Sequence, residues 1–99
     1  MYAMTGKLTA QNGKRPELVN ILTRAAQLVS EMAGCRMYIV SEDVADESVV
    51  WVFEMWDDKT SHDESLKDER VRALIGEARP ILDGAPDGAE LRVAGGFGI

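Results

Sequence analysis

Alternation opens the chain. Tyr2, Met4, Gly6 and Leu8 fall on one face and Ala3, Thr5, Lys7 and Thr9 on the other, which predicts a strand over residues 2–10. Asn12-Gly13 reads as the turn that ends it. Pro16 follows where a first helical turn tolerates proline. The apolar period then becomes helical: Leu18, Ile21, Leu22, Ala25, Leu28, Val29 and Met32 form one stripe over about four turns. Gly34 is placed to end that helix. Residues 35–42 (CRMYIVSE) and 48–56 (SVVWVFEMW) read as strands two and three, joined by the polar stretch Asp43 to Glu47. Asp58 fits a helix N-cap, and Ser61-x-x-Glu64 offers a capping box as an alternative start. That short helix reaches about Lys67. Asp68 caps another over 69–82, broken by Gly84 and Pro86. Ala89, Leu91 and Val93 alternate with Glu90 and Arg92 in a last strand.

Strand, helix, strand, strand, helix pair, strand is the split βαββαβ order. It predicts an α+β, ferredoxin-like fold with a four-stranded antiparallel sheet and helices on one face. With 99 residues and no linker or internal repeat, a single domain over 1–99 is expected. Strand three adds an argument about assembly. Val49, Trp51, Phe53 and Met55 line one face and Val50, Val52, Glu54 and Trp56 the other, so both faces need cover. Helices cover one. A patch carrying Trp51, Phe53, Met55, Tyr2 and Met4 would be unusual on a soluble monomer, so a two-fold homodimer through that face is expected.

Composition narrows the chemistry. Formal net charge is −6 and the basic residues are scattered, so neither nucleic acid nor an anionic membrane is an expected partner. No run is long enough for a membrane span, and MYAMTGKLTA lacks a signal-peptide pattern; a cytoplasmic location is the expectation. One cysteine, Cys35, excludes an intramolecular disulfide, and one histidine, His62, leaves a zinc-type cluster without ligands. No phosphate loop or dinucleotide fingerprint occurs; the Gly95-Gly96-Phe97-Gly98 tail has no helix to follow it. No metal or cofactor is therefore expected.

Three stretches resemble the antibiotic biosynthesis monooxygenase superfamily: Gly13-Lys14-Arg15-Pro16-Glu17-Leu18, Gly34-Cys35-Arg36-Met37-Tyr38, and Glu54-Met55-Trp56 followed by Ser61-His62-x-x-Ser65-Leu66. Their order and spacing, with matching length, extend the resemblance over nearly the whole chain. It implies a dimeric α/β barrel. It also implies one of several activities: cofactor-independent oxygenation of quinols or polycyclic phenols, haem degradation, or isomerisation. The departures discriminate. Where many members carry a histidine nine residues after the strand tryptophan this chain has Ser65, with His62 three residues earlier. The asparagine and histidine of haem-degrading members match Lys7 and Ile75, which disfavours haem. The asparagine of some polyketide oxygenases matches Val52.

Alternation puts Glu54 and Trp56 on one side of strand three, together with Val52. His62 lies one turn before Leu66 on a stripe facing the sheet. Trp56, Glu54 and His62 thus surround one space between sheet and helices, with Tyr38 and Arg79 at its rim. An imidazole of ordinary pKa, about 6.5, suits removal of a phenolic or activated C–H proton at neutral pH. His62 also fits a helix residue bonded to Asp58 or Asp63, Trp56 fits core packing, and Glu54 fits a salt link to an arginine. The expected assignment is an oxygenase of a small aromatic substrate. His62 is the base, Trp56 and Tyr38 shape the pocket, Val52 and Glu54 line it, and Arg79 or Lys7 steadies developing negative charge. Two other readings stay open: a non-catalytic dimer binding a hydrophobic metabolite, and a small-molecule isomerase, which needs a more cationic pocket.

Overall fold

The computed structural model describes residues 1–99. The strands are β1 (Tyr2–Thr9), β2 (Cys35–Glu42), β3 (Val49–Trp56) and β4 (Asp87–Arg92). The helices are α1 (Arg15–Val29), α2 (Lys59–Ser65) and α3 (Glu69–Ala78), with a 3₁₀ turn at Arg79–Ile81. The four strands form one sheet in the order β2-β3-β1-β4, and every pairing is antiparallel. The expected α+β, ferredoxin-like arrangement is what forms.

Boundaries move where local chemistry overrides periodicity. Helix α1 buries Leu18, Ile21, Ala25 and Val29 but stops at Val29, short of Met32. There the Ser30 hydroxyl donates to the Gln27 carbonyl at 2.6 Å and the chain tightens, Met32 N–H reaching Val29 O and Cys35 N–H reaching Met32 O. Gly34 belongs to this turn into β2, not to the helix end. Asp58, not Ser61, caps α2, its carboxylate accepting the Ser61 N–H at 2.7 Å. Helix α3 ends at Ala78 rather than at residue 82, because Pro80 has no N–H to continue an α ladder; the next residues tighten into the 3₁₀ turn.

Gly34 has φ +85°, and a Cβ built on it would stand 2.5 Å from Ser61 Oγ and 2.7 Å from Ser61 Cβ. The clash involves the root of the Ser61 side chain, so α2 itself would have to shift. Gly34→Ala is expected to cost about 1–3 kcal/mol, measured as a lowered urea midpoint at unchanged slope.

Register assigns the faces. Tyr2, Met4, Gly6 and Leu8 stand opposite Trp56, Glu54, Val52 and Val50, and in an antiparallel pair opposed residues share a face. This is the helix side: Leu18, Ile21 and Val50 are buried together, as are Tyr2, Val29, Trp56 and Val71. Burying aliphatic side chains of this kind contributes about 1.5–3 kcal/mol each. The expected outer patch is therefore corrected at two positions. Tyr2 and Met4 face the helices, because β1 alternates in step with Trp56 and Glu54. The outer face carries Trp51, Phe53 and Met55 with Met37, Ile39 and Leu91 from the flanking strands. A bulge between Cys35 and Met37 keeps β2 in step, Cys35 opposite Trp56 and Met37 opposite Met55. On that outer face Trp51 donates its N–H to Asp43 at 2.8 Å. This bond, with two backbone N–H bonds, holds the Asp43 carboxyl down to about 2.

Candidate functional site

Between the sheet and the helices lies a cavity of about 430 Å³, and fourteen of its nineteen lining residues are hydrophobic. The sheet supplies Met4, Gly6, Leu8, Val52, Glu54 and Tyr38; the helices supply Ser65, Leu74, Ile75, Ala78 and Arg79 among others. Its shape follows from three sequence features. Gly6 has no side chain, so β1 leaves room between Met4 and Leu8. Helix α3 begins at the Asp68 cap, whose carboxylate accepts the Arg70 N–H at 2.8 Å, and this sets Val71, Leu74, Ile75 and Ala78 toward the sheet at helical spacing. Pro80 then turns the chain so that Leu82 and Pro86 complete the wall.

Glu54 is the one carboxylate in this lining. Its side chain is 16% exposed, and Trp56 donates the indole N–H to its Oε1 at 3.1 Å. Burial raises its pKa, opposed by the Trp56 bond and by His62. A carboxyl moved up in this way is a better-matched base or acid near neutral pH than a solvated glutamate. No arginine pairs with it; the salt link allowed by the sequence does not form.

Of the residues expected in the site, the structure brings Val52, Glu54, Tyr38 and Arg79 to the cavity wall. Tyr38 is half-buried, and burial, with Glu54 and Cys35 nearby, pushes its phenol well above the ordinary value. It keeps its proton at neutral pH. Arg79 is exposed and stands at the cavity edge as the last α-helical residue gives way to the 3₁₀ turn.

His62, Trp56 and Lys7 do not line the cavity, and their placement is corrected here. Trp56 is fully buried in the Tyr2–Val29–Val71 cluster, behind Glu54. His62 is buried beside Trp56, also behind that carboxylate, with Nε2 3.9 Å from Glu54 Oε1 and Nδ1 3.0 Å from Asp63 Oδ1. The Asp63 contact is one of the two structural partners the sequence allowed. Helix α2 is too short and starts too early to swing His62 over the pocket. Lys7 alternates onto the outer face, opposite Trp51, with its ammonium 5.8 Å from the indole ring centroid. Ser65 reaches the cavity wall, but its hydroxyl donates to the His62 carbonyl at 2.6 Å.

Sequence reasoning missed Gly6 and Ala78, whose role is to leave space, a property carried by no chemical signature. It also undervalued Glu54. Its isolation between apolar residues was the visible signal.

No cluster of three or more His, Cys, Asp or Glu side chains is placed to hold a metal ion. No helix is long and apolar enough to cross a membrane.

Fold and cavity together define a ferredoxin-like domain with an apolar pocket between sheet and helices. The model of the family described as antibiotic biosynthesis monooxygenase matches residues 1–77. A structure from Chloroflexus aurantiacus assigned to antibiotic biosynthesis monooxygenases is 36% identical, with a TM-score of 0.88, covering 99% of this chain and 97% of that one. The chain belongs to the antibiotic biosynthesis monooxygenase family. A structure from Deinococcus radiodurans with the same assignment shares the fold at 22% identity and TM-score 0.87, covering 100% and 98% of the two chains. SnoaB, a cofactor-independent oxygenase from Streptomyces nogalater, shares it at 9% identity and TM-score 0.85, covering 99% and 97%. No curated protein matches the chain.

Proposed function

We propose that this protein is a monooxygenase that oxidises a quinol or polycyclic phenol without metal or flavin. The observation that carries the reading is the single carboxylate, Glu54, set into a mostly apolar cavity of about 430 Å³. Family membership, and the cofactor-independent oxygenase SnoaB among its structural neighbours, support the same class of reaction.

The chemistry follows from the substrate's own electron density. Glu54 takes the acidic proton of the bound phenol or anthrone, leaving an electron-rich anion in a pocket that shields it from water. The anion passes one electron to dioxygen, and the resulting radical pair joins carbon to oxygen as a peroxide anion. The Glu54 proton returns to the terminal oxygen, and loss of water leaves a carbonyl. For an anthrone, or a phenol reacting through its keto tautomer, one methylene has become C=O, one oxygen atom is in the product, and the other is in water. Glu54 replaces His62 as the base because it is the group that faces the cavity. Tyr38 and Arg79 supply hydrogen-bond donors for the oxyanion, and Lys7 has no part in the site. Arg79 is the only Lys or Arg in the lining, too few cations for an isomerase acting on a phosphorylated compound.

Oxygen uptake with a panel of quinols and anthrones in metal-free buffer tests the reading. Substrate-dependent uptake above the spontaneous rate is expected. Uptake no faster than the buffer blank would instead assign the pocket to a binding protein for a hydrophobic metabolite.

The working unit is a homodimer through the outer sheet face, where Ile39 is 47%, Trp51 39% and Leu91 43% exposed in the single chain. A second copy of this chain supplies a matching apolar face under two-fold symmetry. Phe53→Glu, at the middle of that face between Ile39 and Thr5, is expected to yield monomers by light scattering with an unchanged far-UV circular dichroism spectrum. A dimer that persists would move the interface elsewhere.

A further inference from the structure

His62 is withdrawn from the cavity, yet it is placed between the one cavity carboxylate and the exposed Asp63. Its ring is 4% exposed, wedged between Tyr2 at 5.2 Å and Trp56 at 6.0 Å between ring centroids. The Asp63 carboxylate has only acceptors, so the 3.0 Å contact fixes the proton on Nδ1. The lone pair of Nε2 is then turned toward Glu54, 3.9 Å from Oε1. That separation is an ion-pair distance, longer than a hydrogen bond, so proton transfer requires the two groups to close by about 1 Å. Asp63 is 47% exposed and opens to water.

We propose that His62 and Asp63 form a proton path from Glu54 to bulk water, running behind the pocket and independent of its mouth. The inference rests on the reading of Glu54 as the pocket base. When an aromatic substrate fills the cavity it covers the face of Glu54 through which water would exchange. A Glu54 that holds a proton when substrate binds gives it to Nε2, and the Nδ1 proton passes to Asp63 and on to water; the carboxylate is then free to take the substrate proton that it later returns to the peroxide. The return of a proton in the opposite direction restores the starting tautomer. Each passage leaves Glu54 as a carboxylate, the ring as its other neutral tautomer, Asp63 as it was and one proton in water.

The surroundings keep this path polar only along one line. From β1 the Tyr2 hydroxyl donates to Glu90 at 3.2 Å. From α2 Lys59 lies 3.6 Å from Asp63 and 2.9 Å from Glu90 of β4. From β2 Cys35 and Tyr38 stand near Glu54, while α1 and α3 contribute the apolar Val29 and Val71 to the adjoining cluster. The His62 bond, with Lys59 nearby, holds the Asp63 carboxyl below its ordinary value, so it stays ionised and passes a proton on to water rather than keeping it.

The test uses para-nitrophenol as the pocket probe and follows phenolate absorbance after a laser-driven pH jump, for wild type, His62→Gln and Asp63→Asn. Relaxation of the bound probe is expected to slow by about tenfold or more in His62→Gln and by a smaller factor in Asp63→Asn, at unchanged probe affinity. Asp63 is a surface residue, so Asp63→Asn decides the matter if His62→Gln does not fold. In turnover with a quinol, the same variants should lower kcat and leave KM in place. Unchanged relaxation in either soluble variant overturns the path, and so does failure of the probe to bind. Slowed relaxation in a protein that consumes no oxygen would keep the path and remove the oxygenase.

Discussion

Oxygen uptake by Glu54→Gln is expected to fall by about 10²–10⁴-fold in kcat, the usual contribution of a positioned general base. The substitution keeps the shape of the side chain, and its amide oxygen still accepts the Trp56 indole N–H. What it removes is the ability to take a proton from a ligand in the cavity. Lost activity would not reflect lost folding, because the wild-type carboxyl is a burden to the fold. Its pKa is raised by burial above the ordinary 4.5, so between these two values the native state binds more protons than the unfolded chain. Stability therefore falls as pH rises through that window. Glu54→Gln should be at least as stable as wild type at neutral pH, with a flatter stability profile above pH 4.5. In wild type the same ionisation switches the base on, so kcat/KM should rise with pH through the raised pKa while stability declines. Full oxygen uptake by a folded Glu54→Gln protein would sink the base assignment.

The fold was legible in the chain because its signals are local and mutually consistent. The Leu18–Val29 stripe, the two carboxylate caps Asp58 and Asp68, and the alternation in β1 and β3 each specify an element without reference to the others. What connects elements was less legible. The sequence shows that Tyr2 and Met4 share a face, yet only strand register decides which face. Pairing of Tyr2 with Trp56 rather than with Met55 moves the whole set from the outer surface to the helix side. The same one-residue logic put Lys7 outside the pocket. His62 was read correctly as sheet-facing, but α2 is seven residues long and capped at Asp58. That places the ring behind Glu54, not over the cavity. A pocket is defined by absent volume, at Gly6 and Ala78, and absence has no periodicity. Chemistry survived better than geometry: a glutamate between Phe53 and Met55 had to be paired, protonated or poorly buried, and Glu54 has its pKa raised by burial and its one side-chain hydrogen bond from Trp56.

Trp56 links this site to the stability of the domain, and two substitutions separate the two roles. Trp56→Ala should cost about 3–5 kcal/mol, because the indole is fully buried and its removal leaves a cavity among Tyr2, Val29 and Val71. That is a large fraction of the roughly 5–15 kcal/mol available to a domain. At about 4–8 °C per kcal/mol it should lower Tm by tens of degrees. Trp56→Phe keeps most of the packing and deletes one donor, the N–H that Glu54 accepts at 3.1 Å. That bond favours the ionised carboxylate, so without it the Glu54 pKa moves higher still. The rise of kcat/KM with pH should then shift to higher pH in Trp56→Phe, with the plateau rate retained, while its Tm falls far less than that of Trp56→Ala. A pH profile that does not move would mean that Trp56 acts through packing alone. A shift would show that the tryptophan at the end of β3 sets the protonation state of the carboxylate two residues before it.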